Sequence, residues 1–304
     1  MRTLTLSAAL ALTAGLASAT TLHTISARAT CGTNTDITSI ITQPNPLSAG
    51  ASAGPPASSL ANCSAGASAF VGLGTIRTSA TITNPGRDDG LNSIRGSAGA
   101  SGSLRYSFRF IPTTPDPVPL SVSVNMNAVG TAFASSEMLI SPSGAFLNSG
   151  QIVSSVIRAF GTLSSGGQST SFNETASVRA NPGQSKSDSL PRNFTTGTIL
   201  VRPGALVSFF FGLDTSTVGT LFGAPATGRV QANRSLSFAT DRPVFNIPDG
   251  YRIETEETRI VNNRYFDPET PLPDAPAPVP LPAAGWALLC GIFALFSLKR
   301  RATS

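Results

Sequence analysis

The stretch Leu104-Arg105-Tyr106-Ser107-Phe108-Arg109-Phe110 decides the fold. Its apolar residues fall on every second position, with Arg and Ser between them. That period places one set of side chains on each side of a β-strand and cannot make one face of a helix. A second run repeats it: Val122, Val124 and Met126 alternate with Ser121, Ser123, Asn125 and Asn127. The Pro-rich stretch 111–120 between the two runs is too long for a tight hairpin. Further strands are predicted at Thr75–Ile82, Ile152–Phe160, Ala176–Ala180, Thr198–Val201, Leu206–Leu213, Val230–Phe238 and Tyr251–Val261. Asn84-Pro85-Gly86, Asp89-Gly90, Asn181-Pro182-Gly183, Pro203-Gly204 and Pro248-Asp249-Gly250 supply turns between them. No segment between the two ends of the chain sustains a 3.6-residue period with caps. The expectation is an all-β fold, an antiparallel β-sandwich or jelly-roll-like domain, with an N-terminal signal helix and a C-terminal transmembrane helix.

Composition agrees with that class. Hydrophobic residues make up 40% of the 304 and charged residues 12%, enough apolar material for a core and too little charge for a disordered chain. A single histidine excludes His-rich metal sites, and no cofactor is expected. The net charge of +5 would point to nucleic acid or an anionic membrane if it lay on the central domain. Four of the 21 basic residues are Arg2, Lys299, Arg300 and Arg301; the remaining 17 face 16 acidic ones. The central part is nearly neutral, and no nucleic-acid partner is expected.

The ends carry targeting signals. Arg2 precedes an apolar run, Leu4 to Leu16, which closes with Ala17-Ser18-Ala19, the small-x-small pattern of signal peptidase cleavage. Residues 1–19 are therefore expected as a signal peptide, and 20–267 as the exported β-rich domain. A second such triplet, Ala27-Arg28-Ala29, lies farther from the apolar run. Residues 268–282 contain seven prolines in fifteen positions, a linker suited to extended polyproline II. Residues 283–298 form an apolar helix of about 24 Å, slightly short for a hydrocarbon core of about 30 Å. The basic tail 299–304, with Lys299, Arg300 and Arg301, places the extreme C-terminus in the cytoplasm and the domain outside.

Val279-Pro280-Leu281-Pro282-Ala283, followed by this helix and Arg-rich end, resembles the PEP-CTERM family of bacterial sorting signals in its VPLPA variant. The resemblance covers the last 26 residues, 279–304. It implies export, transient inner-membrane anchoring of a precursor, processing near the motif by an exosortase-type membrane peptidase, and a final place at the cell surface or outside the cell. Members of this family accompany extracellular polysaccharide. An ordinary C-terminal anchor shares the topology but leaves the proline-spaced motif unexplained.

The segment 43–69, rich in Ala, Ser, Gly and Pro, is expected as a loose excursion between Cys31 and Cys63. These are the only cysteines in the exported part, since Cys290 lies in the apolar helix. In an oxidising compartment a 31–63 disulfide follows, worth about 3–4 kcal/mol from loop entropy. Gly50-Ala51-Ser52-Ala53-Gly54 matches the nucleophile-elbow spacing, but the only His, His23, lies upstream and is expected in a solvated N-terminus. Without a second His, Ser-His-Asp and Cys-His catalysis lack parts. A carboxylate-pair mechanism needs only two acids about 5–10 Å apart. Asp88, Asp89, Asp214, Asp241, Asp249, Glu254, Glu256, Glu257 and Asp267 are the candidates, mostly in turn-like settings. Neither catalytic nor metal-binding residues are assigned. Three functions remain: a non-enzymatic surface or matrix protein associated with exopolysaccharide, a carbohydrate-binding module, or a carboxylate hydrolase. Three Tyr and a single Trp, Trp286 in the apolar helix, weaken the second.

Overall fold

A computed structural model describes residues 22–31, 34–41, 47–53, 63–84, 94–115, 118–136, 152–221, 228–255, 259–268 and 270. In chain order the strands are β1 (Leu22–Cys31), β2 (Asn34–Ile41), β3 (Leu47–Ala53), β4 (Ser64–Gly72), β5 (Thr75–Asn84), β6 (Ile94–Pro112), β7 (Leu120–Ser136), β8 (Ile152–Ser165) and β9 (Gln168–Ala180). There follow β10 (Gln184–Asp188), β11 (Asn193–Thr195), β12 (Ile199–Val201), β13 (Leu206–Leu221), β14 (Gly228–Phe238), β15 (Phe245–Asn246), β16 (Tyr251–Thr255), β17 (Ile260–Val261) and β18 (Arg264–Tyr265). All pairings are antiparallel. The signal peptide with Ala17 and Ala19, the motif Val279–Ala283, the apolar helix and the cluster Lys299–Arg301 lie outside the described residues.

Two sheets face each other. One runs β2-β1-β6-β13-β8-β9, with β16 continuing the edge of β6 that β1 leaves at Arg105. The other runs β10-β7-β14-β5-β4-β3, with β11 and β12 following β10 along one edge of β7 and β15 also paired to β7. The strands stack in matching order: β1 over β3 and β4, β6 over β4 and β5, β13 over β5 and β14, β8 over β14 and β7. The runs 104–110 and 122–126 thus belong to different sheets, which is why a long Pro-rich crossing joins them. Where the chain passes from β9 to β10, Asn181-Pro182-Gly183-Gln184 makes a turn closed by Gln184 N donating to Asn181 O (3.0 Å). Gly183 has φ +77°, the value a type II turn demands after Pro.

The core is graded along the strands. At one end Tyr106, Phe108 and Phe110 of β6, Phe209 and Phe211 of β13, Phe238 of β14 and Phe245 of β15 are almost fully buried. Their rings meet at 4.7–6.4 Å, as in Phe108–Phe245 (4.7 Å, edge-on) and Phe211–Phe238 (5.3 Å, edge-on). Such pairs add about 0.5–1.5 kcal/mol each to the area they bury. At the other end Ala27, Ala29, Ala67, Ala80, Ala100 and Ala132 line both sheets. Thr215 and Thr217 reach this end too, their hydroxyls donating to the carbonyls of Ala100 (3.1 Å) and Ala98 (3.2 Å).

Two expectations are corrected by this packing. The segment 43–69 is not loose throughout: residues 47–53 and 64–72 pair as β3 and β4. Their Ala residues point inward and their Ser and Gly residues outward, so a period of two runs through residues too small to display it as hydrophobicity. The first four residues of the nucleophile-elbow match, Gly50 to Ala53, lie on β3, and Gly54 lies outside the described residues. His23, expected in solvent, is fully buried on the inner side of β1, in register with Leu104.

Because Ala80 is fully buried and in register with Ala67 and Ala232, enlarging it forces the sheets apart. Ala80→Leu should destabilise the domain by about 1–3 kcal/mol in denaturant unfolding. An unchanged midpoint would show that this end has spare volume.

Candidate functional site

Strands that alternate should place polar residues outside. On the outer face of the seven-stranded sheet two Phe residues break that rule. Phe210 is the middle of Phe209-Phe210-Phe211, whose neighbours both go to the core. Phe160 follows the buried Ala159 on β8 and stands opposite Gly212 of β13. The ring of Phe160 occupies the space over Gly212, where a Cβ would come within 2.5 Å of it. Glycine at that position lets an aromatic ring lie flat on the sheet.

Each ring carries an arginine. Arg105 of β6, in register with Phe210, holds its guanidinium 5.7 Å from that ring. Arg158 of β8 lies 5.3 Å from the Phe160 ring, and the two rings are 5.9 Å apart at 50°. Arg105, Phe210, Phe160 and Arg158 form a diagonal stripe across three strands. Arg158 Nε donates to Asn173 Oδ1 on β9 (2.8 Å), which fixes one end. Beside it, Asp214 of β13 is in register with Arg158. Burial raises the Asp214 carboxyl above its ordinary value, and the Arg158 charge only partly offsets this. Toward the β1 side the face is lined with hydroxyls, including the pairs Ser26–Ser101 (2.7 Å) and Thr24–Ser103.

A second buried charge lies between the sheets. Arg234 of β14 is 4% exposed, and its stem crosses beneath β7 at Gly130, where a Cβ would stand 2.6 Å from Arg234 Cδ. Burial lowers its pKa to about 10, the Asp188 charge opposing the change. Nη2 reaches to 3.5 Å from the Asp188 carbonyl, while Nε and Nη1 have no hydrogen-bond partner among the described residues.

The residues singled out from the sequence are distributed as follows. Cys31 of β1 and Cys63, just before β4, are buried with Cα atoms 5.9 Å apart, at disulfide distance between the two sheets. Glu254 of β16 pairs with Arg252 (2.8 Å), and Asp267 lies 4.0 Å from Arg77. Asp214 and Glu254 share the outer face, but their registers on β6, Ser101 and Arg109, are eight residues apart, about 27 Å along the strand. Those two acids are too far apart to act as a catalytic pair. Asp88, Asp89, Glu256 and Glu257 lie outside the described residues. Among those described, no group of three or more His, Cys, Asp or Glu residues is placed to hold a metal. Tyr106 and Tyr265 are core residues whose hydroxyls bind the β4–β5 turn, at Gly74 N and Leu73 O (both 2.7 Å). The stripe itself was not singled out from the sequence. Its signal was present in Phe residues at outward positions of alternating strands.

Comparison of the chain with protein-family models, with curated proteins and with solved structures finds no match.

Two outcomes follow from the charges. Asp214 holds its proton more tightly folded than unfolded, so stability falls as pH rises from the ordinary value of 3.8 through the raised one. Asp214→Asn should therefore stabilise the domain at neutral pH, with the gain vanishing below about pH 4; a gain independent of pH would assign the effect to packing. Arg234→Met removes an incompletely bonded buried charge while leaving the exposed Asp188 in water. It should leave stability unchanged or raise it by up to about 3 kcal/mol, and a loss in thermal unfolding would show that the guanidinium is held better than its contacts indicate.

Proposed function

We propose that this chain is a non-enzymatic exported surface or extracellular-matrix protein, sorted by its C-terminal signal and associated with extracellular polysaccharide. Residues 1–19 direct export, 283–298 hold the precursor in the inner membrane, and an exosortase-type peptidase processes it near Val279–Ala283. The observation that carries this reading is the pair Cys31–Cys63, buried between the sheets at bonding distance. A disulfide there requires an oxidising compartment. It also suits a domain with one end of its core built of alanine, where closing a loop of about 32 residues contributes about 3–4 kcal/mol.

A carbohydrate-binding reading gains a specific observation in the aromatic stripe Phe210–Phe160, since half-buried rings on an outer sheet face supply stacking area for sugar faces. It is compatible with the matrix role and describes how that role is carried out.

The deciding experiment is the intact mass of protein released from cells that make the full chain together with a sorting peptidase. Released protein should lack most of residues 283–304 and with them Trp286, giving tyrosine-like emission, and should carry a closed Cys31–Cys63 bridge in non-reducing peptide maps. A released mass that still includes Trp286 and Arg301 would make the tail a plain anchor. Both thiols alkylatable in exported material would refute the Cys31–Cys63 bridge.

A further inference from the structure

We infer that the diagonal stripe Arg105–Phe210–Phe160–Arg158 binds an anionic polysaccharide, with sugar rings over the two Phe side chains and carboxylate groups at the two guanidiniums. This rests on the matrix reading above and adds the chemical class of the polymer.

Three observations bear on it. The first is charge. The outer face of this sheet presents Arg28, Arg105, Arg109, Arg158, Arg179 and Arg252, by their registers with outward neighbours. Against them stand Asp214 and Glu254, one in register with Arg158 and the other paired to Arg252. Among the described residues the face therefore carries four more guanidiniums than carboxylates. All six cations are Arg, whose planar fork takes a carboxylate through two hydrogen bonds. On the opposite sheet the outward strand cations are Arg77 and Arg229, with Asp267 beside the former, and Arg242 and Arg259 come from segments packed against that sheet. Among outward strand residues the excess of positive charge is larger on the first sheet.

The second observation is shape. Successive groups of the stripe lie 5.7, 5.9 and 5.3 Å apart. Arg105 and Arg158 are offset by four residues along β13 and by two strand spacings across it, about 17 Å from end to end. A single sugar cannot reach both ends, so the arrangement suits a polymer. The third is support. Gly212 holds Phe160 flat, Asn173 orients Arg158, and Arg105 and Phe210 are cross-strand neighbours, so little side-chain order is lost on binding. Hydroxyls of Ser101 and Ser103 continue the face toward β1, where they can meet sugar hydroxyls.

The test uses the purified full-length chain in detergent with three probes: polygalacturonate, neutral dextran and single-stranded DNA. Polygalacturonate should bind, weakening as NaCl rises, while dextran should not bind. Arg105→Gln with Arg158→Gln should weaken polygalacturonate binding tenfold or more. Phe160→Ala with Phe210→Ala should weaken it severalfold, and Arg77→Gln on the other sheet should change it less than twofold. Circular dichroism and the melting temperature establish that each variant is folded; if the Phe pair fails to fold, Phe160→Leu and Phe210→Leu take its place, removing the aromatic faces and keeping the bulk.

Equal loss in Arg77→Gln would reduce binding to net charge and overturn the inference. So would dextran binding as tight as polygalacturonate, or DNA binding as tight and indifferent to the Phe variants. Absence of polygalacturonate binding by protein that still co-purifies with extracellular polysaccharide would overturn the stripe and leave the matrix reading standing. Failure of the chain to leave the cytoplasm would overturn that reading instead.

Discussion

Burial of alternate side chains in the space between two facing sheets is the constraint on which everything else in this molecule rests. Backbone hydrogen bonds hold strands within each sheet, but between the sheets the contact is made by side chains. The long β6 strand is central to it. Its inward residues run from Ala98 and Ala100 to Leu104, Tyr106, Phe108 and Phe110, and they lie under β4 and β5 of the opposite sheet. Remove that inward set and β6 keeps its pairing with β1 and β13 but loses its reason to face the second sheet. Each buried Phe contributes about 1.5–3 kcal/mol by the area it hides from water, so the aromatic end supplies most of the cohesion.

The alanine end obeys the same constraint with less to bury. Ala side chains hide little area, and this is where the molecule adds other ties: Cys31 and Cys63 across the sheets, and the hydroxyls of Thr215 and Thr217 on β6 carbonyls. Arg234 and Gly130 stand between the two regimes, a charged side chain crossing the interior where the neighbouring strand β7 has no side chain of its own. In the low-dielectric space between sheets such a group contributes little to stability, since desolvation of the guanidinium offsets what Asp188 returns.

The outer faces follow from the inner ones. Once alternation commits one side of each strand to the core, the other side is free to vary, and here it is mostly Ser and Thr. Against that background Phe160, Phe210 and their arginines are conspicuous as a group. A strand with rings on both faces, as at Phe209-Phe210-Phe211, costs solubility on the outside, and the flanking guanidiniums lessen that cost by stacking on the rings while staying hydrated. The same stacking leaves a surface suited to ligands that combine apolar ring faces with negative charge.

The sequence by itself determined the all-β class, because the period of two in Leu104–Phe110 and Val122–Met126 is a local property that no tertiary contact can change. It also determined the nearby turns, where Pro-Gly pairs restrict the backbone directly, and the candidacy of Cys31 and Cys63 as partners. It could not show β3 and β4, since Ala, Ser and Gly differ too little in hydrophobicity for their alternation to be visible before a facing sheet distinguishes in from out. His23 was misplaced for a related reason: one polar residue at the start of a strand takes its environment from what pairs with it, here Leu104, distant in sequence. The stripe from Arg105 to Arg158 joins residues 53 positions apart through register with a third strand, β13. Only tertiary structure decided it, because cross-strand neighbours are chosen by how the sheets close over their common core, not by anything written in either segment alone.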